Sequence, residues 1–223
     1  FISTDKAVNP TSIMGASKRV AEILCQEAAR QGSTRFVTVR FGNVLGSAGS
    51  VVPLFRTQIS SGGPVTVTHP EVTRFFMTIS EASQLILQAA ALEGSDAIYV
   101  LDMGEPIEVR YLAEQMIRLS GKIPGEDIEV VYTGLRPGEK LYEELFHGEE
   151  TLSATAHQKI LKADHRPQNR SALSSVLERM EAACLSYDVQ AIEALFAQLV
   201  PEFRGASTRD LAPTVVPFNA KKS

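Results

Sequence analysis

The stretch Phe36-Val37-Thr38-Val39-Arg40-Phe41 decides the fold class, because its β-branched and aromatic side chains are typical of a strand. A helical pattern precedes it, with Asn9 predicted as the N-cap, Pro10 in the first turn and Gly32 as the stop. A Gly/Ser loop follows it and leads into a second helical pattern from Val51 to Ile59. A strand between two helices predicts the crossover connections of a parallel sheet.

The same alternation of strands and helices continues along the chain. Strands are predicted at 65–68, 97–101 and 128–132, and helices at 80–92 and 109–120. After Glu139 the pattern predicts helices only, at 141–146, 171–185 and 189–199. We therefore expect an α/β fold with a largely parallel sheet, followed by a helical region.

Composition and charge exclude several classes of protein. The chain has 223 residues, 44% of them hydrophobic, which is enough for one substantial core. A formal net charge of −4 provides no basic field for nucleic acid, and neither a long apolar run nor a signal peptide is present. We expect no nucleic-acid partner, no membrane contact for this segment and a cytoplasmic location.

Two further features concern the chain's context. Phe1-Ile2-Ser3 reads as the end of a strand with no turn or cap before it, so we expect the chain to be part of a longer protein. Cys25 and Cys184 match no metal-ligand spacing, and both fall in helical patterns. They are expected to be buried free thiols in a reducing cytoplasm, and no metal site is predicted.

A group of polar side chains at one strand end carries the chemistry. Thr4, Asp5 and Lys6 follow the first strand, at the edge where open α/β sheets bind ligands. Met14 and Lys18 are one helical turn apart and therefore share a helix face. A hydroxyl, a carboxylic acid and an amine together suit proton transfer, although the same residues could form a solvated ion pair and a surface lysine.

The run Ser3 to Pro10, followed by Met14 to Lys18, resembles the catalytic segment of bacterial UDP-N-acetylglucosamine 4,6-dehydratases, the CapD-like polysaccharide biosynthesis proteins. In the wider extended short-chain dehydrogenase/reductase family, a Tyr-x-x-x-Lys motif provides the base. Met14 stands at the tyrosine position, as in the large, membrane-anchored subgroup of these dehydratases. Because a thioether has no proton to exchange, Asp5, Thr4 or a water must assist oxidation of the sugar.

The resemblance implies a cycle of three steps and a nicotinamide cofactor, NAD or NADP. Hydride leaves sugar C4 for the nicotinamide. Lys6, as a neutral amine, then removes the C5 proton while protonated Asp5 helps the C6 hydroxyl leave as water. Hydride finally returns to C6. Lys18 is expected to hold the nicotinamide ribose, and Thr4 to hydrogen-bond the 4-hydroxyl.

Two segments near the middle of the chain resemble the family's diphosphate-binding elements. Arg40 to Ser47 is similar to a strand-to-loop turn in which Asn43 contacts the substrate diphosphate. The helix that begins near Ser50 and Val51 would offer free N–H groups to the same anion. Read alone, the segment is equally well a plain glycine turn.

Three later segments complete the resemblance. Arg74 is expected to reach the diphosphate; Arg136 is expected to pair with phosphate, and Glu139 to accept hydrogen bonds from the nucleotide ribose. The run 153–160 also resembles a family segment, but its His157 is interpreted as a surface or packing histidine. A UDP-sugar substrate is therefore the expected partner, and a homo-oligomer is compatible with the resemblance.

Together these motifs imply the carboxyl-terminal part of a Rossmann-type fold of the extended short-chain dehydrogenase/reductase class, with a small helical substrate-binding region. Residues 1–165 would hold that part of the catalytic domain, 166–200 a helical extension and 201–223 a flexible tail. The sequence contains no G-x-G-x-x-G, so most of the dinucleotide would bind to a preceding segment. The resemblance further implies that the whole protein is anchored in the inner membrane, with this part in the cytoplasm.

Two alternatives stay open from the sequence. The first is a nucleotide-sugar 4-epimerase or reductase on the same scaffold, against which Asp5 and Lys6 argue, because epimerisation needs no base at C5 and no acid at C6. The second is a catalytically silent module that binds sugar nucleotides. Met14 favours that reading, whereas the presence of Lys18 beside the Asp5–Lys6 pair weighs against it.

Overall fold

The computed structural model describes residues 1–94, 96–164 and 173–205. In this part of the chain the helices are α1 (Ile13–Gln31), α2 (Val51–Ser60), α3 (Ile79–Ala91), α4 (Val109–Leu119), α5 (Leu173–Leu185) and α6 (Val189–Leu199), with a 3₁₀ turn at Asp5–Ala7. The strands are β1 (Val37–Arg40), β2 (Asn43–Val44), β3 (Val65–Val67), β4 (Thr73–Arg74), β5 (Phe76–Met77), β6 (Ala97–Leu101), β7 (Ile107–Glu108), β8 (Val130–Tyr132), β9 (Leu152–Ala154) and β10 (Ile160–Ala163).

The main sheet has the strand order β1-β6-β10-β9 within the described residues. β1 and β6 are parallel, and Ile2 continues this parallel pattern by pairing with Val39. All five residues of β6 are buried, because the strand lies inside the sheet and both of its faces are covered. The predicted α/β architecture with parallel pairing is confirmed for this part of the sheet.

The second half of the sheet differs from the prediction. β9 and β10 form an antiparallel hairpin, and β10 is also antiparallel to β6. These strands are short and β9 is largely exposed, so their sequence lacks the apolar alternation that predicts a strand. His157 lies in the hairpin turn, where its Nδ1 accepts a hydrogen bond from the Lys159 backbone N–H.

Two predicted helical features are wrong. Residues 141–146 form neither helix nor strand, because their side chains are held by ion pairs and buried contacts with several different elements. Helix α1 begins at Ile13 with Ser12 as the N-cap, whose hydroxyl accepts from the Gly15 N–H. Asn9 cannot be the cap, because it adopts a left-handed conformation with φ of 42° and its amide donates to Glu144.

Close packing of α1 against the 3₁₀ turn determines where the polar side chains of the strand end lie. A Cβ at Gly15 would be 2.2 Å from the Lys6 carbonyl oxygen, so only glycine allows this approach. The opposite side of α1 packs on α5 and α6 in a core that contains Val20 and Phe196. A separate core that includes Phe55 joins α2, β3 and α4.

Three remaining expectations concern the cysteines, the tail and the membrane. Cys25 is partly buried but Cys184 is exposed on α5, so the predicted burial is wrong for Cys184.

Of the predicted flexible tail, 206–223 lies outside the described residues, whereas Phe203 is buried and the Arg204 N–H donates to the Pro10 carbonyl. No helix in the described ranges is long and apolar enough to cross a membrane. The boundaries at 165 and 200 stay a prediction.

Candidate active site

The 3₁₀ turn carries Asp5 into the interior next to the end of β1. The Asp5 N–H donates to the Phe41 carbonyl at 3.0 Å, which extends the parallel pairing of the strand end by one step. The Asp5 side chain is fully buried. Gly42 leaves room for it, because a Cβ there would lie 3.0 Å from Asp5 Oδ2 and 2.9 Å from the Phe75 Cβ. The backbone thus provides a narrow pocket for this carboxyl group.

Lys6 lies at the centre of the polar cluster. Its Nζ is 3.0 Å from Asp5 Oδ1 and donates to Asn43 Oδ1, also at 3.0 Å. The Thr4 hydroxyl donates to the same Asp5 oxygen at 2.9 Å. The second oxygen, Asp5 Oδ2, is buried and has no hydrogen-bond partner among the described residues. The structure therefore brings Thr4, Asp5, Lys6 and Asn43 together, as the sequence predicts.

Glu143 belongs to the same cluster, and the sequence analysis missed it. Its Oε1 is 3.6 Å from Lys6 Nζ and 3.8 Å from Arg74 Nε, and its side chain is only 4% exposed. Burial raises the pKa of Glu143 and the charge of Asp5 raises it further, while nearby cations act in the opposite direction. The sequence offered one signal, the acidic pair Glu143-Glu144 shortly after Glu139, but the helical interpretation of 141–146 hid it.

Three of the residues predicted to bind the diphosphate and ribose, Arg74, Arg136 and Glu139, form a second cluster beside the first. Arg74 Nη2 is 3.2 Å from Glu139 Oε1, and Arg136 Nε is 3.1 Å from Glu139 Oε2. Burial would raise the pKa of Glu139, but hydrogen bonds from Arg136 and Thr68 lower it below its usual value. Arg74 is buried, whereas the Arg136 side chain is 78% exposed. Glu143 contacts both Lys6 and Arg74 and so connects the two clusters.

The residues predicted on α1, Met14 and Lys18, form no described hydrogen bond or ion pair with these clusters. Lys18 Nζ donates to the Ile2 carbonyl at 3.2 Å and lies 5.0 Å from the centre of the Phe1 ring. Met14 is 49% exposed. Within the described ranges no hydrogen bond or ion pair joins Lys18 to Asp5 or to Asn43. The backbone nevertheless brings the start of α1 against the 3₁₀ turn through Gly15.

The start of α2 likewise forms no described hydrogen bond with the cluster around Lys6. Ser50 is the N-cap residue and Val51 the first helical residue. Ser50 Oγ is buried, and none of the described residues forms a hydrogen bond with it. The free N–H groups of the first helical turn make this end attractive to an anion, but no described contact ties it to Lys6 or Arg74.

Residues 1–165 match the model of a family described as polysaccharide biosynthesis protein. The chain belongs to this family. It is 59% identical over 168 residues to the capsular polysaccharide biosynthesis protein CapD of Staphylococcus aureus, covering 74% of this chain and 28% of CapD. It is 54% identical over 160 residues to the probable polysaccharide biosynthesis protein EpsC of Bacillus subtilis, covering 72% and 27%. The chain thus spans just over a quarter of the length of these two relatives.

More distant relatives include both epimerases and dehydratases. A UDP-glucose 4-epimerase of Rickettsia felis is 40% identical over 157 residues, covering 69% of this chain and 44% of the relative. The structure of Pen from Bacillus thuringiensis matches with a TM-score of 0.66 and 36% identity, covering 73% and 51%. A dTDP-glucose 4,6-dehydratase from Bacillus anthracis in complex with NAD matches with a TM-score of 0.54, covering 66% and 50%.

These matches confirm two predictions. The resemblance to CapD-like polysaccharide biosynthesis proteins is confirmed by the family model and by CapD itself. The fold, part of a Rossmann-type extended short-chain dehydrogenase/reductase, is confirmed by Pen and, at 18% identity, by the likeness in fold to the Bacillus anthracis dehydratase. The roles assigned to individual site residues stay predictions.

In this polysaccharide biosynthesis protein a network of buried ion pairs connects α1, β1 and the residues that precede Asp5. Arg40 is fully buried and contacts Glu22 at 2.8 Å and Glu150 at 2.9 Å. Ser3, two residues before Asp5, donates to Glu22 at 2.6 Å. Burial would raise the pKa of Glu22, but Arg40 and Arg19 together hold it at about 2. The network fixes β1 and the residue run that leads into Asp5, and it does not contact the polar cluster through any described hydrogen bond.

Proposed function

We propose that this chain forms the substrate side of a nucleotide-sugar 4,6-dehydratase, which converts UDP-N-acetylglucosamine to UDP-2-acetamido-2,6-dideoxy-4-hexulose in bacterial surface polysaccharide biosynthesis. One observation carries the proposal: the Lys6 amine and the buried Asp5 carboxyl are 3.0 Å apart at the end of a strand. Elimination of water across C5 and C6 needs a base and an acid side by side on one sugar. The identity to CapD supports the proposed pathway.

The proton chemistry follows from this pair. Lys6 would remove the proton from C5, and Asp5 would donate a proton to the C6 oxygen, which leaves as water. Thr4 holds the Asp5 carboxyl by its 2.9 Å hydrogen bond, and Asn43 holds the Lys6 amine. Met14 is half exposed and carries no exchangeable proton, so the proton of the 4-hydroxyl is best accepted by Asp5, directly or through the Thr4 hydroxyl that donates to it.

A nicotinamide cofactor, NAD or NADP, fits the proposal. The Lys18 ammonium has three N–H donors and uses one on the Ile2 carbonyl, so donors remain for ribose hydroxyls at this strand end. When bound, the nicotinamide would accept the hydride from C4 and return it to C6. The Bacillus anthracis structure, in complex with NAD, supports this class of cofactor.

The arginine cluster would take the diphosphate of a UDP-sugar. Arg136 is exposed and Arg74 lies next to it through Glu139, so two guanidinium groups can face one anion. Glu139 would then turn towards the ribose hydroxyls. Asn43 and the start of α2 at Ser50 and Val51 are proposed to face the same diphosphate. A cytoplasmic location and an inner-membrane anchor for the whole protein are part of this proposal.

A 4-epimerase is the second candidate, because the Rickettsia felis relative carries that name at 40% identity. The two reactions differ in their products. The full-length protein should be incubated with UDP-N-acetylglucosamine and NAD or NADP. Loss of water to a 4-keto sugar supports the dehydratase, a 4-epimer supports the epimerase, and binding without turnover supports a silent module.

Variants of the same protein test the residues. Lys6→Met and Asp5→Asn are each expected to reduce the rate of water loss by about 10²- to 10⁴-fold, the usual effect of losing an acid–base group. The control is Lys122→Met, which changes an exposed lysine and should leave the rate unchanged. Full activity of Lys6→Met would contradict the proposed base.

A further inference from the structure

Glu143 is a buried acid whose hydrogen bonding is incomplete. One oxygen lies at ion-pair distance from Lys6 and Arg74, 3.6 Å and 3.8 Å, and neither contact is a short hydrogen bond. The other oxygen, Oε2, is buried without a partner in the part of the chain that the structure describes. An ionised carboxylate in this position loses hydration that the protein replaces only in part, whereas a protonated carboxyl loses less.

The charges around Glu143 come from three directions. Asp5 and Lys6 face it from the 3₁₀ turn, Arg74 from β4 and Lys140 from its own loop. Burial is the largest influence and raises the pKa of Glu143; the Asp5 charge also raises it, and the three cations lower it. Glu139 shares the Arg74 guanidinium at 3.2 Å, which weakens the stabilisation that Arg74 gives to Glu143.

The proposed reaction needs a site for one more proton. Because Met14 cannot take the proton of the 4-hydroxyl, Asp5 must begin as a carboxylate, accept that proton and later pass it to the C6 oxygen. Lys6 must be a neutral amine during the same cycle. Asp5 is the nearest acid to Lys6, at 3.0 Å, but it must stay free to accept the 4-hydroxyl proton, so the proton that Lys6 gives up needs another acceptor close by.

We propose that Glu143 is a positioning residue that takes up the proton of Lys6, so that Lys6 becomes a neutral base and Asp5 stays free to accept the proton of the 4-hydroxyl. An N–H bond of the Lys6 ammonium breaks, an O–H bond forms on Glu143, and the pair changes from one positive and one negative charge to two neutral groups. The transfer occurs through one water, or after the 3.6 Å contact closes to about 2.8 Å. A diphosphate bound to Arg74 would compete with Glu143 for the positive charge of the guanidinium group, and this would favour the protonated form of Glu143.

This inference rests on the proposed dehydratase function, and its test uses the whole protein. Glu143→Gln keeps the size of the side chain but cannot take up the proton. We expect kcat at pH 7 to fall about 10²-fold with KM changed much less, and the rate to recover as rising pH lets Lys6 lose its proton to solvent. Glu143→Asp retains a carboxyl group and should recover part of the rate at pH 7. The matched control is Glu149→Gln, on the same segment with its side chain 76% exposed, which should keep the original profile.

The opposite outcomes are distinct. If Glu143 only stabilised the ammonium form by its charge, Glu143→Gln would move the rise in activity to lower pH, and that result overturns the proposal. An unchanged pH profile also overturns it. If Glu143→Gln does not fold, the infrared spectrum of the wild-type protein with bound UDP decides: a protonated-carboxyl band that shifts in Glu143→Asp supports the proposal, and its absence refutes it. Failure of the proposed function looks different, because the wild type and Glu149→Gln would then make no 4-keto sugar at all.

Discussion

At the scale of single residues, the two arginines of the proposed diphosphate site differ in how freely they can respond to a ligand. Arg74 is buried and also donates to the carbonyls of Thr73 and Leu141, so it stabilises the fold even without a bound substrate. Arg136 is held only through Glu139 in the contacts described and is mostly exposed. We therefore expect their substitution to have different consequences.

The first prediction concerns Arg136→Ala. The variant should fold as stably as the wild type, because an exposed ion pair contributes little to stability. It should raise KM for the UDP-sugar about tenfold and leave kcat nearly unchanged, since the lost interaction is the same in the ground and transition states. Steady-state kinetics in the full protein measures this, with Arg110→Ala, another exposed arginine in an ion pair, as the control. A normal KM would remove Arg136 from the proposed site.

At the scale of elements, the contact between α1 and the 3₁₀ turn has no spare room. Gly15→Ala would bring a methyl group to 2.2 Å from the Lys6 carbonyl oxygen, so the helix or the turn must move. We expect a loss of stability of about 1–3 kcal/mol and a larger relative loss of activity, because Lys6 is displaced. Denaturant unfolding and turnover check both. Gly32→Ala, whose Cβ meets only ordinary contacts, should change neither by a comparable amount.

The ion network between α1 and β1 gives a pH prediction. The pKa of Glu22 is lowered from 4.5 to about 2 in the folded protein, so its contribution to stability is present above pH 4.5 and is lost as the pH falls towards 2. The shift corresponds to about 3 kcal/mol. The free energy of unfolding, measured by denaturant titration, should fall across this range. The Glu22→Gln variant should have a lower free energy of unfolding already at pH 7, and this free energy should depend less on pH. The control variant Glu105→Gln, at an exposed site, should behave like the wild type.

Elements also show what the sequence could and could not predict. Thr4, Asp5 and Lys6 are neighbours in the chain, so one motif and one strand end were enough to predict their cluster. Glu143 comes more than a hundred residues later, and only tertiary packing brings it to Lys6. The hairpin of β9 and β10 was missed for a related reason: its pairing with β6 decides its conformation, and local apolar periodicity does not.

At the scale of the whole molecule, the sequence holds the proposed proton-transfer residues but no glycine-rich dinucleotide turn. The 223-residue chain by itself is therefore predicted neither to turn over UDP-N-acetylglucosamine nor to bind NAD or NADP tightly. Calorimetry with each dinucleotide and an assay for 4-keto sugar measure this, with the full-length protein as the positive control. Formation of 4-keto sugar by the chain alone would contradict the prediction.

The packing of α5 and α6 on α1 has a consequence for how this protein can be cut. The match to the family model covers residues 1–165, yet Phe196 and Phe203 from beyond that range pack against Val20 on the helix that carries Met14 and Lys18. A truncation after residue 165 would therefore expose the apolar face of that helix and promote aggregation. The segment beyond residue 165 therefore stabilises the helix on which the proposed cofactor-binding residue Lys18 lies.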